Sequence, residues 1–173
     1  MKRLTARGKI MSRIIIICAV AAILGVPAKA DETLKWRHVI HMASNQTQQV
    51  GDVNNHLLGL IRLPGIAFFQ DGSTGTALVI GTYDAVVGVG ATVNGYYTIS
   101  FADGSELWLK YTGTTKTGAT GKIAQKGTAT VISGKGRYAG AQGDGTFEGE
   151  QNQSAVLPGE VIAYIDNVIN IKK

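Results

Sequence analysis

The stretch that decides the fold is Ile132-Ser-Gly-Lys-Gly-Arg-Tyr-Ala-Gly-Ala-Gln-Gly-Asp-Gly-Thr-Phe147. Six glycines lie in it or just after it, at Gly134, Gly136, Gly140, Gly143, Gly145 and Gly149. Glycine at this density is tolerated where the backbone needs a positive φ or a close approach. No helical pattern follows, and the spacing is neither G-x-G-x-x-G nor a Walker loop, so a phosphate-binding loop is not indicated. The stretch instead predicts a tight corner between two strands of a small, curved sheet.

The rest of the chain after residue 31 also favours strands. Short alternating runs bounded by Gly, Asp and Asn recur, and helical periodicity is absent. The predicted strands are 34–43, 54–63, 66–70, 76–87, 93–101, 105–114, 127–132, 145–151 and 160–171. In this scheme Pro64-Gly65 ends the second strand. The spacing predicts an all-β fold, a single closed antiparallel barrel of about eight strands, since closure removes the exposed edges of an open sheet.

Residues 1–30 are predicted to be a signal peptide. Basic residues from Lys2 to Arg13 precede an apolar core, 14–26, and Ala28-Lys29-Ala30 places small residues before a cleavage site at Asp31. The apolar core is too short to span a bilayer. We therefore expect one β-barrel domain, 31–173, that is exported to the periplasm or secreted and has no membrane span after cleavage.

Cleavage would change the charge of the protein. The whole chain has 17 Lys and Arg against 12 Asp and Glu, but residues 31–173 hold 11 basic and 12 acidic residues, a formal charge of −1. The basic pI of the whole chain is therefore no indication of a nucleic-acid partner. Cys18, the only cysteine, leaves with the signal peptide. The domain must then be held together by its core rather than by disulfides.

The dipeptide Asp103-Gly104 predicts a two-residue type I′ hairpin turn. That register pairs Phe101 with Glu106 and places Tyr97, Phe101, Glu106 and Trp108 on one face. A carboxylate beside a tryptophan inside a barrel would have a perturbed pKa and could polarise a ketone or accept a proton. Glu106 and Tyr97 are therefore the candidate catalytic residues, although a surface pattern formed by Glu106 with Lys110 is the simpler interpretation.

Other catalytic or metal sites are not indicated. His38 and His41 lie an odd number of residues apart, so they face opposite sides of a strand and cannot share a metal ion. Without a cysteine in the domain, a structural zinc site is not expected, and no G-x-S-x-G elbow marks a serine hydrolase. We expect no metal and no cofactor. His56, with Asp52, is predicted to be a structural histidine or a polar contact at the mouth of a cavity.

The segment from Gly134 to Phe147 resembles the "GTGRFAGATGSGTF"-type segment of the allene oxide cyclase-like barrels, relatives of the plant dirigent proteins. Asp103-Gly104 ahead of it follows the order of motifs in that family. The resemblance implies an eight-stranded barrel of calycin-like shape that often forms trimers. It also implies a shaped apolar cavity without metal or organic cofactor, used for cyclase or isomerase chemistry on lipid-like or phenolic substrates.

Two classes of function follow from these observations. One is a cofactor-free cyclase or isomerase of a small hydrophobic molecule, and the other is a non-catalytic barrel that binds such a ligand or serves a structural role. Inward glycines such as Gly59, Gly81, Gly88, Gly90 and Gly95 predict free space in the barrel. The predicted ligand contacts are Trp36, His56, Phe101 and Trp108, together with Tyr97 and Glu106.

Overall fold

The computed structural model describes residues 31–118, 121–153 and 161–172. The predicted signal peptide lies outside the described residues. The strands are β1 (Glu32–His41), β2 (Ser44–Gln49), β3 (His56–Phe69), β4 (Thr74–Val86), β5 (Gly90–Phe101), β6 (Glu106–Thr117), β7 (Ile123–Lys135), β8 (Gln142–Gln153) and β9 (Val161–Lys172). The one helical element described is a 3-10 turn, Gly136–Tyr138. The all-β prediction is confirmed.

The strands form a closed antiparallel barrel. They follow the order β1-β9-β8-β7-β6-β5-β4-β3-β2, and a further pairing between β1 and β3 closes the ring. Eight strands, β1 and β3 to β9, therefore make the barrel, while β2 continues alongside β3 beyond it. The predicted eight-stranded barrel is confirmed, and β2 is a strand that the sequence pattern did not predict.

The strand β3 runs through Pro64-Gly65, so the prediction of two separate strands there is wrong. Arg62 is the last β3 residue paired with β2, and Gly65 is the first paired with β1. Pro64 lies between them, at the point where the strand paired with this edge of β3 changes from β2 to β1. A proline has no N–H to donate, and at this break that N–H is not needed for a ladder. The strand therefore tolerates proline without ending.

The glycine-rich segment forms the predicted corner between β7 and β8. Gly136 and Gly140 have φ of +63° and +76°, which a residue with a side chain rarely adopts. The 3-10 turn between them places Tyr138 in the interior, where it is 2% exposed. The glycines thus allow a sharp reversal that directs one aromatic ring into the core.

A layer of aromatic rings in mutual contact closes one end of the barrel, which we call the corner end. Trp36 lies 5.4 Å from Phe69, Phe69 lies 5.2 Å from Phe101, and Phe101 lies 5.3 Å from Tyr138, all between ring centroids. The guanidinium of Arg137 covers this layer, 4.2 Å from the centre of the Phe101 ring. At the opposite, mouth end, β4 turns into β5 and β6 into β7.

The hairpin between β5 and β6 has a three-residue loop rather than the predicted two-residue turn. Ser100 pairs with Glu106, and the amide of Phe101 donates to the carbonyl of Ser105 at 2.9 Å. Gly104 has a φ of +78°, as the last loop residue of such a hairpin requires. Because side chains alternate along a strand, this one-residue difference moves every β6 side chain to the opposite face from the one predicted.

Candidate functional site

A cavity of about 70 Å³ lies inside the barrel, above the aromatic layer and toward the mouth end. A water molecule needs roughly 10–15 Å³, so the cavity has room for a larger molecule. Its lining comprises His38, Ile40, Ile61, Leu63, Val79, Val93, Tyr97, Tyr111, Gln125, Phe147, Gln151, Val161, Ala163, Ile165 and Asn167. Most of these side chains are apolar, as in ligand cavities of small barrels.

Three of the polar side chains in the lining, His38, Tyr97 and Asn167, lie close together. His38 on β1 is 4% exposed, and its ring meets that of Tyr97 on β5 edge to face, with 5.8 Å between the centroids. The hydroxyl of Tyr97 donates a long hydrogen bond, 3.4 Å, to Oδ1 of Asn167 on β9. Asn167 in turn donates from Nδ2 to the carbonyl of Ile165 at 3.0 Å. Strand alternation brings these three residues to the inner face.

His38, which lines the cavity, has an unsatisfied polar atom. Its Nδ1 is buried and has no hydrogen-bond partner among the described residues. Nearly all buried polar atoms in proteins are paired, because leaving one unpaired costs about 1–3 kcal/mol. An unpaired nitrogen on a residue that lines a cavity with room for more than water is therefore a candidate contact for a bound molecule.

Burial keeps the side chains of His38, Tyr97 and Tyr111 uncharged at neutral pH. Desolvation lowers the pKa of His38 to about 4, against the opposing field of Asp166. Desolvation also raises the pKa of Tyr97 well above its usual range and raises that of Tyr111 to about 12. The cavity thus offers a neutral imidazole and protonated phenols, which donate and accept hydrogen bonds without carrying charge.

The hairpin register places two of the predicted site residues on the outside of the barrel. Leu107 and Leu109 are fully buried on the inner face of β6. Glu106 and Trp108 alternate with them along the strand and therefore point outward. The Glu106 side chain is 27% exposed and lies 3.8 Å from Nζ of Lys135. The predicted juxtaposition of Glu106 with Tyr97 inside the barrel is wrong. Lys110, also on the outer face, is exposed.

The remaining predicted contacts are distributed over three places. Tyr97 lines the cavity, as expected. Trp36 and Phe101 are buried in the aromatic layer below it, where Trp36 lies 6.3 Å from the ring of Tyr97. His56 lies outside the barrel, between two carboxylates, with Nε2 2.5 Å from Asp84 and Nδ1 2.6 Å from Asp52. Hydrogen bonds to Asp84 and Asp52 raise the pKa of His56.

At two of the five glycines that were predicted to leave free space, aromatic rings occupy that space. A Cβ at Gly59 would overlap the ring of Tyr83, and one at Gly81 would overlap the hydroxyl of Tyr111. Gly88, at the turn between β4 and β5, has a φ of +84° and faces no cavity. A Cβ at Gly90 or Gly95 would instead meet the backbone of a neighbouring strand. None of these five glycines lines the cavity.

The sequence reasoning did not identify His38, Tyr111 or Asn167 as site residues. A signal was present in the alternation Leu34, Trp36, His38, Ile40, which places His38 on the apolar face of β1. His41 is exposed, so the prediction that His38 and His41 face opposite sides is confirmed. The position of Asn167 beside Tyr97 depends on strands 70 residues apart and carried no local signal.

Two further features concern metals and membranes. Among the described ranges, no group of three or more His, Cys, Asp or Glu is arranged to hold a metal ion. Within the same ranges, no helix has the length and hydropathy needed to cross a membrane.

Comparison with known proteins yields structural matches alone. No family model matches the chain, and no curated protein matches it significantly. A pterocarpan synthase dirigent protein matches at 13% identity and a TM-score of 0.46, over 83% of this chain and 92% of that one. A conserved protein of unknown function from Rhodopseudomonas palustris matches at 12% identity and a TM-score of 0.48, over 81% of this chain and 99% of that one.

The barrel that the family resemblance implied is confirmed by the strand pairing described above, and a dirigent protein is among the structures matched. At these identities and TM-scores, neither match assigns a residue, a ligand or an activity to this chain.

Proposed function

We propose that this protein is an exported barrel that binds a small, uncharged, mostly apolar molecule carrying one oxygen function, such as a ketone or a phenol. The observation that carries the proposal is the buried, unpaired Nδ1 of His38 at the wall of an apolar cavity. A ligand that offers a hydrogen-bonding oxygen satisfies this atom, and its apolar remainder replaces water against the aliphatic wall.

The charge of the cavity narrows the class of ligand. Its described lining contains no Lys, Arg, Asp or Glu. A carboxylate buried there would lie unpaired in an apolar environment, which is strongly unfavourable. Neutral ketones and phenols are therefore favoured over fatty acids, although both classes are hydrophobic.

Our second proposal is a cofactor-free cyclase or isomerase. The neutral side chains of the cavity limit which catalytic groups such an enzyme could use. With its pKa lowered to about 4, His38 is a weak general base at neutral pH. The protonated hydroxyl of Tyr97 can still polarise a carbonyl, and the rigid wall can hold a substrate in a reactive conformation. Glu106 has no part in this proposal, because it lies on the outer face.

The binding proposal can be tested with small probes of matched size. In a Trp108→Phe variant, Trp36 is the one remaining tryptophan, and it contacts Tyr97 beneath the cavity. We expect cyclohexanone and 4-methylphenol to change its fluorescence in a saturable way, whereas hexanoate does not. Tyr97→Phe keeps the ring and removes the hydroxyl, and should weaken binding by roughly 3- to 10-fold.

Two outcomes would contradict the proposal. One is the absence of saturable binding for every neutral probe up to its solubility limit. The other is hexanoate binding as tightly as cyclohexanone, which would require a cation near the cavity. Conversion of a bound neutral ketone into a rearranged product, lost in Tyr97→Phe, would favour the second proposal over simple binding.

A further inference from the structure

The strand β2 has an edge that no other described strand covers. In the sheet order β2 is terminal, and among the described residues it pairs with β3 alone. All six of its residues, Ser44-Asn-Gln-Thr-Gln-Gln49, are exposed, so neither face of the strand is buried. One ladder to β3 is therefore the main contact that holds this strand.

The register shows which backbone groups point to the open edge. The amide of Val50 donates to the carbonyl of His56 at 2.9 Å, and Gln46 and Gln48 pair with Leu60 and Leu58. Antiparallel partners alternate between bonded and non-bonded pairs, so the even-numbered residues of β2 bond to β3. The N–H and C=O groups of Asn45, Thr47 and Gln49 consequently point away from β3.

This edge is held in a fixed position. The ring of Tyr83 crosses Gly59 of β3, and its hydroxyl lies 2.9 Å from Oγ1 of Thr47 and donates to Oδ1 of Asn45 at 3.0 Å. A strand that is already ordered loses little conformational entropy when it pairs, which favours association.

Within the part of the chain that the structure describes, the edge also has none of the usual protection against pairing. Soluble proteins place Lys, Pro or a bulge in an exposed edge strand, or cover it. Within Ser44–Gln49 there is no charged residue, no proline and no glycine. Asn, Gln and Thr side chains form hydrogen bonds with their own kind when strands stack, and identical uncharged strands do not repel each other.

We propose that β2 pairs with the β2 strand of a second copy of this chain, antiparallel and across a two-fold axis near Thr47. In this arrangement Thr47 faces Thr47 of the partner subunit, and Asn45 faces the partner's Gln49. Each bonded pair exchanges two hydrogen bonds, which makes about six in all. Such an interface is small, so the dimer is weak to moderate and depends on concentration.

The test is sedimentation equilibrium of the protein, expressed from the full chain and recovered in processed form, at about 5 to 500 μM. We expect twice the mass of the chain at the upper end. Thr47→Pro removes an outward N–H without breaking the ladder to β3, and should raise the dissociation constant at least 10-fold. Thr47→Val is the matched control, because it loses the same hydroxyl but keeps the N–H, and should remain a dimer.

A second variant guards against misfolding at position 47. Gln46→Lys with Gln48→Lys places like charges across the shared ladder and should also abolish the dimer, with the circular dichroism spectrum unchanged. As a control, Thr130→Lys adds a positive charge on the outer face of β7 and should leave the dimer intact. A monomer at every concentration would overturn the proposal. So would a dimer that survives Thr47→Pro, or the trimer that the family resemblance implied, since a two-fold edge pairing cannot join three chains.

Discussion

At the residue scale, His38 is the side chain on which the proposed binding site depends. Its neighbours on β1, Trp36 and Ile40, are also buried, and Nε1 of Trp36 likewise has no hydrogen-bond partner among the described residues. An aliphatic residue at position 38 would satisfy the same packing without leaving Nδ1 unpaired. The polar atom therefore lowers stability where an apolar residue would not, which is the usual relation between a binding site and the fold that carries it.

The burial of His38 gives a testable dependence of stability on pH. The folded state holds the imidazole neutral, with its pKa lowered to about 4, while the unfolded chain takes up a proton below about pH 6.5. The contribution of this pKa difference to the free energy of unfolding is fully present above pH 6.5 and is lost as the pH falls toward 4. We expect the wild type to lose about 2 kcal/mol more than His38→Phe between pH 7 and pH 4.5, measured by urea unfolding.

The comparison with His38→Phe removes the contribution of other groups. His56 has a raised pKa, so its stabilising effect is complete below pH 6.5 and is lost at higher pH, in the opposite direction. Equal losses in the wild type and in His38→Phe would show that His38 is accessible to protons in the folded barrel, contrary to its burial.

At the element scale, the hairpin between β5 and β6 decides which side chains enter the barrel. A two-residue turn at Asp103-Gly104 would place Glu106 and Trp108 inside. The three-residue loop places Leu107 and Leu109 inside instead. Burial explains the outcome, since two leucines gain far more from the interior than a carboxylate and an indole that needs a partner.

The same loop predicts a graded effect of substitutions at Gly104. With φ at +78°, an alanine there is strained, and we expect Gly104→Ala to lower the free energy of unfolding by about 1 kcal/mol. Asn adopts this conformation more readily, so Gly104→Asn should cost less than Gly104→Ala. Urea midpoints at constant slope measure both. An alanine variant as stable as the wild type would mean that the loop does not require a left-handed residue.

At the scale of the whole molecule, the signal-peptide pattern of residues 1–30 predicts export, and the position of the only cysteine, Cys18, within that segment predicts a domain without disulfides. If cleavage occurs before Asp31, the recovered protein carries 11 basic and 12 acidic residues, and it focuses far below the pI of about 9.4 of the full chain. N-terminal sequencing of protein from a periplasmic or culture-supernatant fraction should begin at Asp31 or within about two residues of it. Recovery of intact chains starting at Met1 from the cytosol would contradict export.

Local pattern was enough for most of the barrel. Alternating apolar residues bounded by Gly, Asp and Asn located the barrel strands, and the glycines after Ile132 located a corner, because both signals depend on neighbours in the chain. The pattern wrongly predicted that a strand ends at Pro64. Whether a missing N–H interrupts a strand depends on which strand lies beside it, and that neighbour is distant in sequence.

The composition of the cavity was decided by tertiary structure. The turn chemistry of Asp103-Gly104 is compatible with two registers, and only burial against the closed sheet selects the one that puts Tyr97 with Tyr111 rather than with Glu106. In the same way, Gly59 and Gly81 predicted free space beside the backbone, but the rings of Tyr83 and Tyr111 on other strands fill it. Sequence thus determined the all-β class and the strands, because these follow from local periodicity. Barrel closure determined the site, because His38, Tyr97 and Asn167 meet only when β1 pairs with both β3 and β9.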